Sequence, residues 1–310
     1  MKVFKFGGAS VKDTAGVKNI LKVLKSVGFK KTLVVISAMG KSTNALEEII
    51  KQYFSDKTKT PQGLIELKVY HLEIIEDLFK ENRVEVCSVV NELFEELHAF
   101  IRLNKSPDYS YVYDQVVSFG ELLSTTIIHH YLVHEGINSS WLDARNCIKT
   151  DDYYRAANLD WDATLSNVKN QVGNSSLVIT QGFIGSNSNN FTTTLGREGS
   201  DYTAAIFAYC LNAESVTIWK DVPGILNADP RHFKKTQLLN HISYREAIEL
   251  AFYGATVIHP KTLQPLQRKE IPLYVKSFYH PQDNGTCVGK GVFLDPKTAC
   301  YILKKDQVLI

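Results

Sequence analysis

The sequence predicts an α/β fold with a mainly parallel central sheet, and three observations carry that prediction. Two runs, Thr32–Ser37 and Leu177–Gly185, are almost continuously apolar, as strands buried on both faces of a parallel sheet are. Such runs alternate along the chain with stretches whose apolar residues recur at helical spacing. The strand patterns end in loops rich in glycine, serine and threonine, and open α/β sheets bind ligands at strand C-terminal ends.

Lys2–Phe6 alternates polar and apolar residues, the period of a half-buried strand. Val17, Ile20, Leu21, Val23, Leu24 and Val27 lie at helical spacing, so Gly7 and Gly8 occupy a strand-to-helix turn with Lys5 at its edge. Glycine lets the backbone approach a bulky anion, and the N–H groups at a helix start favour negative charge. An ordinary βα turn and a phosphate cradle both satisfy these residues. After the second strand comes Ser37–Asn44. Gly40-Lys41-Ser42 imitates the end of a P-loop, but the first glycine of that motif would fall on Val35, so the P-loop reading is rejected. Ser37 and Thr43 offer hydroxyls there, and Asn44 with Glu47 suggests a helix start.

Residues 46–104 show three helical patterns with charged outer faces and are expected to form a helical insertion. Glu121 stands at the start of the next helix, where the dipole favours a carboxylate and where it could also grip an ammonium group. A short strand is expected at Ser140–Asp143, and after the Leu177–Gly185 run a polar hairpin tip at Ser186–Asn190 leads to a threonine-rich strand at Phe191–Leu195. Gly196–Tyr202 is a second glycine turn before a helix, now with Arg197 and Asp201, and Ser200 or Asp201 is expected to cap that helix. Two anion-ready turns in one sheet favour phosphate chemistry over packing. Val216–Trp219 reads as a strand, Ser243–Glu246 as a capping box, Gly254 as a helix end and Pro272–Ser277 as a strand. His259 before Pro260 reads as a structural histidine. Ala299–Leu303 and Val308–Ile310 read as strands, which suggests a removed module or pairing with another chain.

Bulk properties narrow the function. The 310 residues correspond to roughly two domains or one large α/β unit, 44% of them are apolar, and the net charge is only +2. Nothing in that balance suggests a nucleic-acid or membrane surface. No apolar run reaches the ~18 residues of a membrane helix, and no signal-peptide layout precedes the first strand. The five cysteines are scattered without a C-x-x-C pair, which suits a reducing cytoplasm.

Taken together, Lys5–Ser10, Ser37–Asn44, Gly120-Glu121, Gly196–Tyr202, Trp219–Gly224, Asp229–Arg231 and His259-Pro260 resemble, in order, the aspartokinases of the amino-acid kinase fold. The resemblance implies a three-layer sandwich over residues 1–295. Its N-terminal lobe (about 1–195, with the insertion at about 46–110) would bind aspartate, and its C-terminal lobe (about 196–295) would bind ATP. It implies ATP- and Mg²⁺-dependent phosphorylation of the β-carboxylate of L-aspartate. Lys5, Phe6, Gly7 and Gly8 would hold phosphates, with Lys5 and Asp201 catalytic. Ser37 and Thr43 would lie beside the transferring group. Glu121 would bind the substrate ammonium, Arg197 its α-carboxylate, and Ser200 would join them. Lys220, Asp221, Leu226, Arg231 and Thr256 would contact the nucleotide, and no side-chain metal site is assigned. A homodimer in the cytoplasm is expected.

Three residues depart from the family's usual choice: Lys220 for threonine, Leu226 for tyrosine and Thr256 for lysine. Lys220 would replace the charge missing at Thr256. Glu198 stands where glycine is common and would compete for Arg197. Residues 296–310 resemble only the start of an ACT module, so feedback inhibition by lysine or threonine is not expected. The competing readings are a glutamate 5-kinase and a non-catalytic amino-acid sensor.

Overall fold

The computed structural model describes residues 1–173, 175–253, 258–291 and 293–302. In chain order the elements are β1 (Lys2–Phe6), α1 (Thr14–Val27), β2 (Thr32–Ile36), α2 (Ser42–Ser55), α3 (Thr60–Phe79), α4 (Val84–Leu103), α5 (Tyr109–Val117) and α6 (Phe119–His134). There follow β3 (Ser140–Leu142), α7 (Ala144–Cys147), α8 (Trp161–Val172), β4 (Leu177–Gln181), β5 (Ile184–Ser186), β6 (Thr192–Thr194) and α9 (Gly199–Leu211). The chain continues with β7 (Ser215–Lys220), β8 (His241–Ser243), α10 (Tyr244–Tyr253), α11 (Pro260–Lys269), β9 (Leu273–Ser277) and β10 (Thr286–Gly289).

Eight strands form one sheet in the order β3-β4-β2-β1-β7-β9-β10-β8, parallel except where β9 meets β10. Every residue of β2 and β4 is buried, which is why their sequences carry no polar alternation. β1 sits between β2 and β7, so its C-terminal end lies at the centre of the sheet. α9 packs over β1, β2 and β7, and α6 over β2, β3 and β4. Both helices are apolar around their circumference and buried through their first turns, as helices enclosed between a sheet and further helices must be. α1 shows the expected apolar stripe, and the Asp13 side chain caps it by accepting from the Gly16 amide at 2.8 Å.

The helical insertion is present as α2 to α4, and the capping box is present: the Ser243 amide donates to Glu246 at 2.9 Å and the Glu246 amide to the Ser243 hydroxyl at 3.2 Å. His259 accepts from the Lys261 amide at the start of α11, a structural role. Several expectations are corrected. α2 begins at Ser42 rather than at Asn44, and Glu47 instead accepts from the Tyr113 hydroxyl at 2.7 Å. The run Leu177–Gly185 breaks at Gly182-Phe183 into β4 and β5, because Phe183 adopts φ 71°, outside the strand region. Neither Ser200 nor Asp201 caps α9: Glu198 is the N-cap, without a side-chain cap bond, and Asp201 is drawn to a lysine instead. Residues 299–302 form no strand; the Tyr301 amide donates to the Asn227 carbonyl and its ring stacks on Phe233. Gly254, Thr256 and the expected strand at Val308–Ile310 lie outside the described residues. α5, α7, α8, β8 and β10 had no expectation; α8 begins at the Asp160 cap.

Candidate active site

The loops after β1 and β2 touch. The Gly40 amide donates to the Gly8 carbonyl at 3.1 Å. A Cβ on Gly8 would stand 2.7 Å from the Ala38 carbonyl oxygen, so only glycine permits this approach. α6 supports the same loop from its first turns. The Ser124 hydroxyl donates to the Ser37 carbonyl at 2.8 Å, and the Ala38 amide donates to Glu121 Oε1 at 3.2 Å.

The second glycine turn arrives on α9. Asp201, fully buried, meets Lys5 Nζ at 2.6 Å through Oδ1 and Lys220 Nζ at 3.7 Å through Oδ2. Strand register explains the pair of lysines. Lys5 is opposite Ile218, and Lys220 follows Ile218 by two residues, so both side chains leave the same face of the sheet. One carboxylate thus offsets two ammonium groups at the ends of neighbouring strands.

Lys5, Gly8, Ser37, Thr43, Glu121, Arg197, Ser200 and Asp201 line a single cleft of about 990 Å³. Gly7 adjoins it: a Cβ there would lie 3.3 Å from Lys5 Nζ. Lys220 reaches the cluster through Asp201. Phe6 does not contribute a side chain to the cleft. Its ring is fully buried, stacked on Trp219 at 6.1 Å and set edge-on to Phe278 at 5.8 Å, so only its backbone reaches the turn. Asp221, Leu226 and Arg231 follow β7 and do not line the cleft. Arg231 is exposed and bound to Asp229, with Nη2 2.7 Å from Oδ2, which holds the Asp229 carboxyl down at about 2. Arg197 and Glu198 both line the cleft, and among the described residues no ion pair joins them.

Glu121 is the electrostatic anomaly of the cleft. Its side chain is buried, Oε1 takes the Ala38 amide and Oε2 has no hydrogen-bond partner. Burial pushes its pKa up to about 8, against the opposing pull of the Ala38 amide and of Lys5. At neutral pH it is mostly protonated, ready to ionise beside an arriving cation. The cleft also holds Tyr113, Asp152, Phe183 and Arg155, which sequence reasoning did not single out. Asp114, fully buried behind them, accepts four hydrogen bonds from Arg155 and Thr194, yet desolvation still raises its pKa to about 6. No local spacing marks these residues, since their partners lie tens of positions away.

The profile of the Amino acid kinase family matches residues 1–277. The chain is 34% identical to the lysine-sensitive aspartokinase 3 of Escherichia coli (strain K12), over 99% of this chain and 68% of that protein. It is 33% identical to the chloroplastic aspartokinase 1 of Arabidopsis thaliana, over 93% of this chain and 52% of that protein. The crystal structure of E. coli aspartokinase III in complex with aspartate and ADP superposes with a TM-score of 0.86 over 94% of this chain and 65% of that one, at 34% identity. The chain therefore spans between half and about two thirds of the length of these relatives. Sequence and fold agree: this chain belongs to the amino acid kinase family and, within it, to the aspartokinases.

Proposed function

We propose that the chain transfers the γ-phosphoryl group of ATP to the β-carboxylate of L-aspartate, giving 4-phospho-L-aspartate and ADP. The observation that carries the reading is the buried contact between Lys5 of the first glycine turn and Asp201 of the second. It fixes a cation where two sets of helix-start amides converge, which is what an anion attacking an anion needs.

The acceptor's own side-chain carboxyl has a reference pKa of ~3.9 and arrives ionised, so no general base is required. Its oxygen forms the new bond to phosphorus as the bond to the β–γ bridging oxygen breaks, and the electron pair leaves with ADP. Lys5, held by Asp201, stabilises charge on the transferring group, with Lys220 beside it. Glu121, ionised on binding, takes the substrate ammonium on its unpartnered Oε2, and Arg197 takes the α-carboxylate. Among the described residues no group of three or more His, Cys, Asp or Glu side chains could hold a metal ion, so Mg²⁺ would be held by phosphate oxygens and water, with the Ser37 and Thr43 hydroxyls in the same cleft. When bound with the nucleotide, Mg²⁺ would neutralise phosphate charge. Asp221, Leu226, Arg231 and Thr256 remain proposed nucleotide contacts on the resemblance alone.

The test is ADP release with MgATP and, separately, L-aspartate, L-glutamate and N-acetylglutamate. Turnover with L-aspartate alone is expected. Turnover with glutamate instead would replace the assignment by a glutamate 5-kinase, and binding without turnover would indicate a sensor. Among the described residues no helix is long and apolar enough to cross a membrane.

A further inference from the structure

The cleft contains a second arginine whose backbone is held at a conformational cost. Arg155 has φ 70°, in the left-handed region that disfavours any side chain. Asp114 holds it there. Its buried carboxylate accepts the Arg155 amide at 3.0 and 3.1 Å, the Thr194 amide at 2.8 Å and the Thr194 hydroxyl at 2.8 Å. Phe183 and Glu198, with φ of 71° and 55°, also line this cleft, so three strained non-glycine residues gather around one cavity.

The Arg155 backbone lies directly against the second glycine turn. A Cβ on Gly196 would stand 3.3 Å from the Arg155 carbonyl oxygen and 3.5 Å from Ala156 Cα. Arg155 and Arg197 therefore enter the cleft from backbones in contact. Neither makes an ion pair with a described carboxylate. The Arg155 guanidinium instead rests over the rings of Tyr113, at 4.8 Å, and Tyr109, at 5.6 Å. A cation–π contact at an exposed site is weaker than a bidentate arginine–carboxylate pair, so a carboxylate entering the cleft would draw the guanidinium off the rings. The location favours the acceptor over the nucleotide. Tyr113 lies on α5, next to the helix that carries Glu121, whereas the lysines beside the phosphate turn extend from β1 and β7.

We infer that Arg155 is a second carboxylate-binding residue for the acceptor amino acid, closing on the unphosphorylated carboxylate opposite Arg197. The inference deepens the proposed function and rests on it for the identity of the acceptor. It also accounts for the strain: left-handed backbone at 155 aims a long cation back into the cleft.

Arg155→Gly tests it, because glycine adopts φ 70° freely and the variant keeps or gains stability by urea denaturation. Its KM for L-aspartate, and its Kd measured calorimetrically without nucleotide, are expected to rise about tenfold, as loss of one charge-assisted contact predicts. Its KM for ATP is expected to stay within about twofold, and Arg155→Lys, which keeps the charge but not the fork, to fall between wild type and Arg155→Gly. Unchanged aspartate affinity in Arg155→Gly, or an equal rise in the KM for ATP, overturns the inference. A wild type that phosphorylates a different amino acid overturns the proposed function instead, and the same variants are then read on that substrate. A wild type that binds no amino acid overturns both.

Discussion

Lys5 and Asp201 define the chemistry at the scale of single residues. Their side chains are 9% and 0% exposed, and the contact at 2.6 Å compensates a fully buried carboxylate with an ammonium at the edge of the cleft. Removing Lys5 leaves the buried Asp201 carboxylate with only the longer 3.7 Å contact to Lys220, a loss of up to ~3–5 kcal/mol. Lys5→Met is therefore expected to lower stability by about that amount and turnover by at least ~10²-fold. Pairing it with Asp201→Leu should recover part of the stability and none of the activity, as urea denaturation and ADP release would show. A double variant no more stable than Lys5→Met would mean that the ion pair does not set the local stability.

Glu121 makes a separate prediction about pH. Its carboxyl is raised from 4.5 to about 8 in the folded protein. Between those values the folded state keeps a proton that the unfolded chain has released, so stability falls as pH rises through that window. Asp114 acts with the same sign from 3.8 to about 6, while His71 and His129, lowered by burial from 6.5 to about 4, act with the opposite sign over that lower range, so the interval from about pH 7 to 8 reports mainly Glu121. Glu121→Gln should flatten the slope there, read as urea midpoints at several pH values. Binding of an ammonium ligand at pH 7 should release close to one proton, seen as a buffer-dependent calorimetric enthalpy. Enthalpies independent of buffer would show that Glu121 does not ionise on binding.

At the scale of elements, the start of α9 carries the strain. Glu198 holds φ 55°, ψ 27° as the N-cap and makes no side-chain cap bond. Glu198→Gly should stabilise the protein by ~0.5–1 kcal/mol, because glycine pays no penalty in the left-handed region. Removing a carboxylate from the cleft should also strengthen binding of an anionic acceptor. A drop in the urea midpoint would contradict the strain argument. Much of the element layout was legible beforehand, since the burial of β2, β4 and α6 follows directly from apolar runs. β8 was not, because His241–Ser243 carries a single apolar residue, Ile242, which gives no period.

At the scale of the whole molecule, the cleft is bounded by loops of β1 and β2, the first turns of α6 and α9, and the 152–156 segment. Ligands that bridge these parts must stabilise the fold as a unit. Saturation with L-aspartate or with nucleotide at about 100 times Kd should each add ~2.7 kcal/mol, visible as a rise in Tm. Lys5→Met should lose most of the nucleotide increment and keep the aspartate one, which separates the two ends of the cleft. Equal loss of both would indicate a collapsed site.

The sequence by itself determined the central strands β1, β2, β4 and β7, the two glycine turns and the lysine and aspartate within them. Those features arise from local patterns: apolar period, helix starts, and residues that fit tight turns. Only the tertiary structure decided that Asp201 serves Lys5 rather than its own helix cap, that the Phe6 ring belongs to the core, and that Asp114 pins Arg155 beside Arg197. The physical reason is that burial and ion pairing depend on which distant segments meet, and the cost of an unpaired buried charge selects partners that no local spacing reveals.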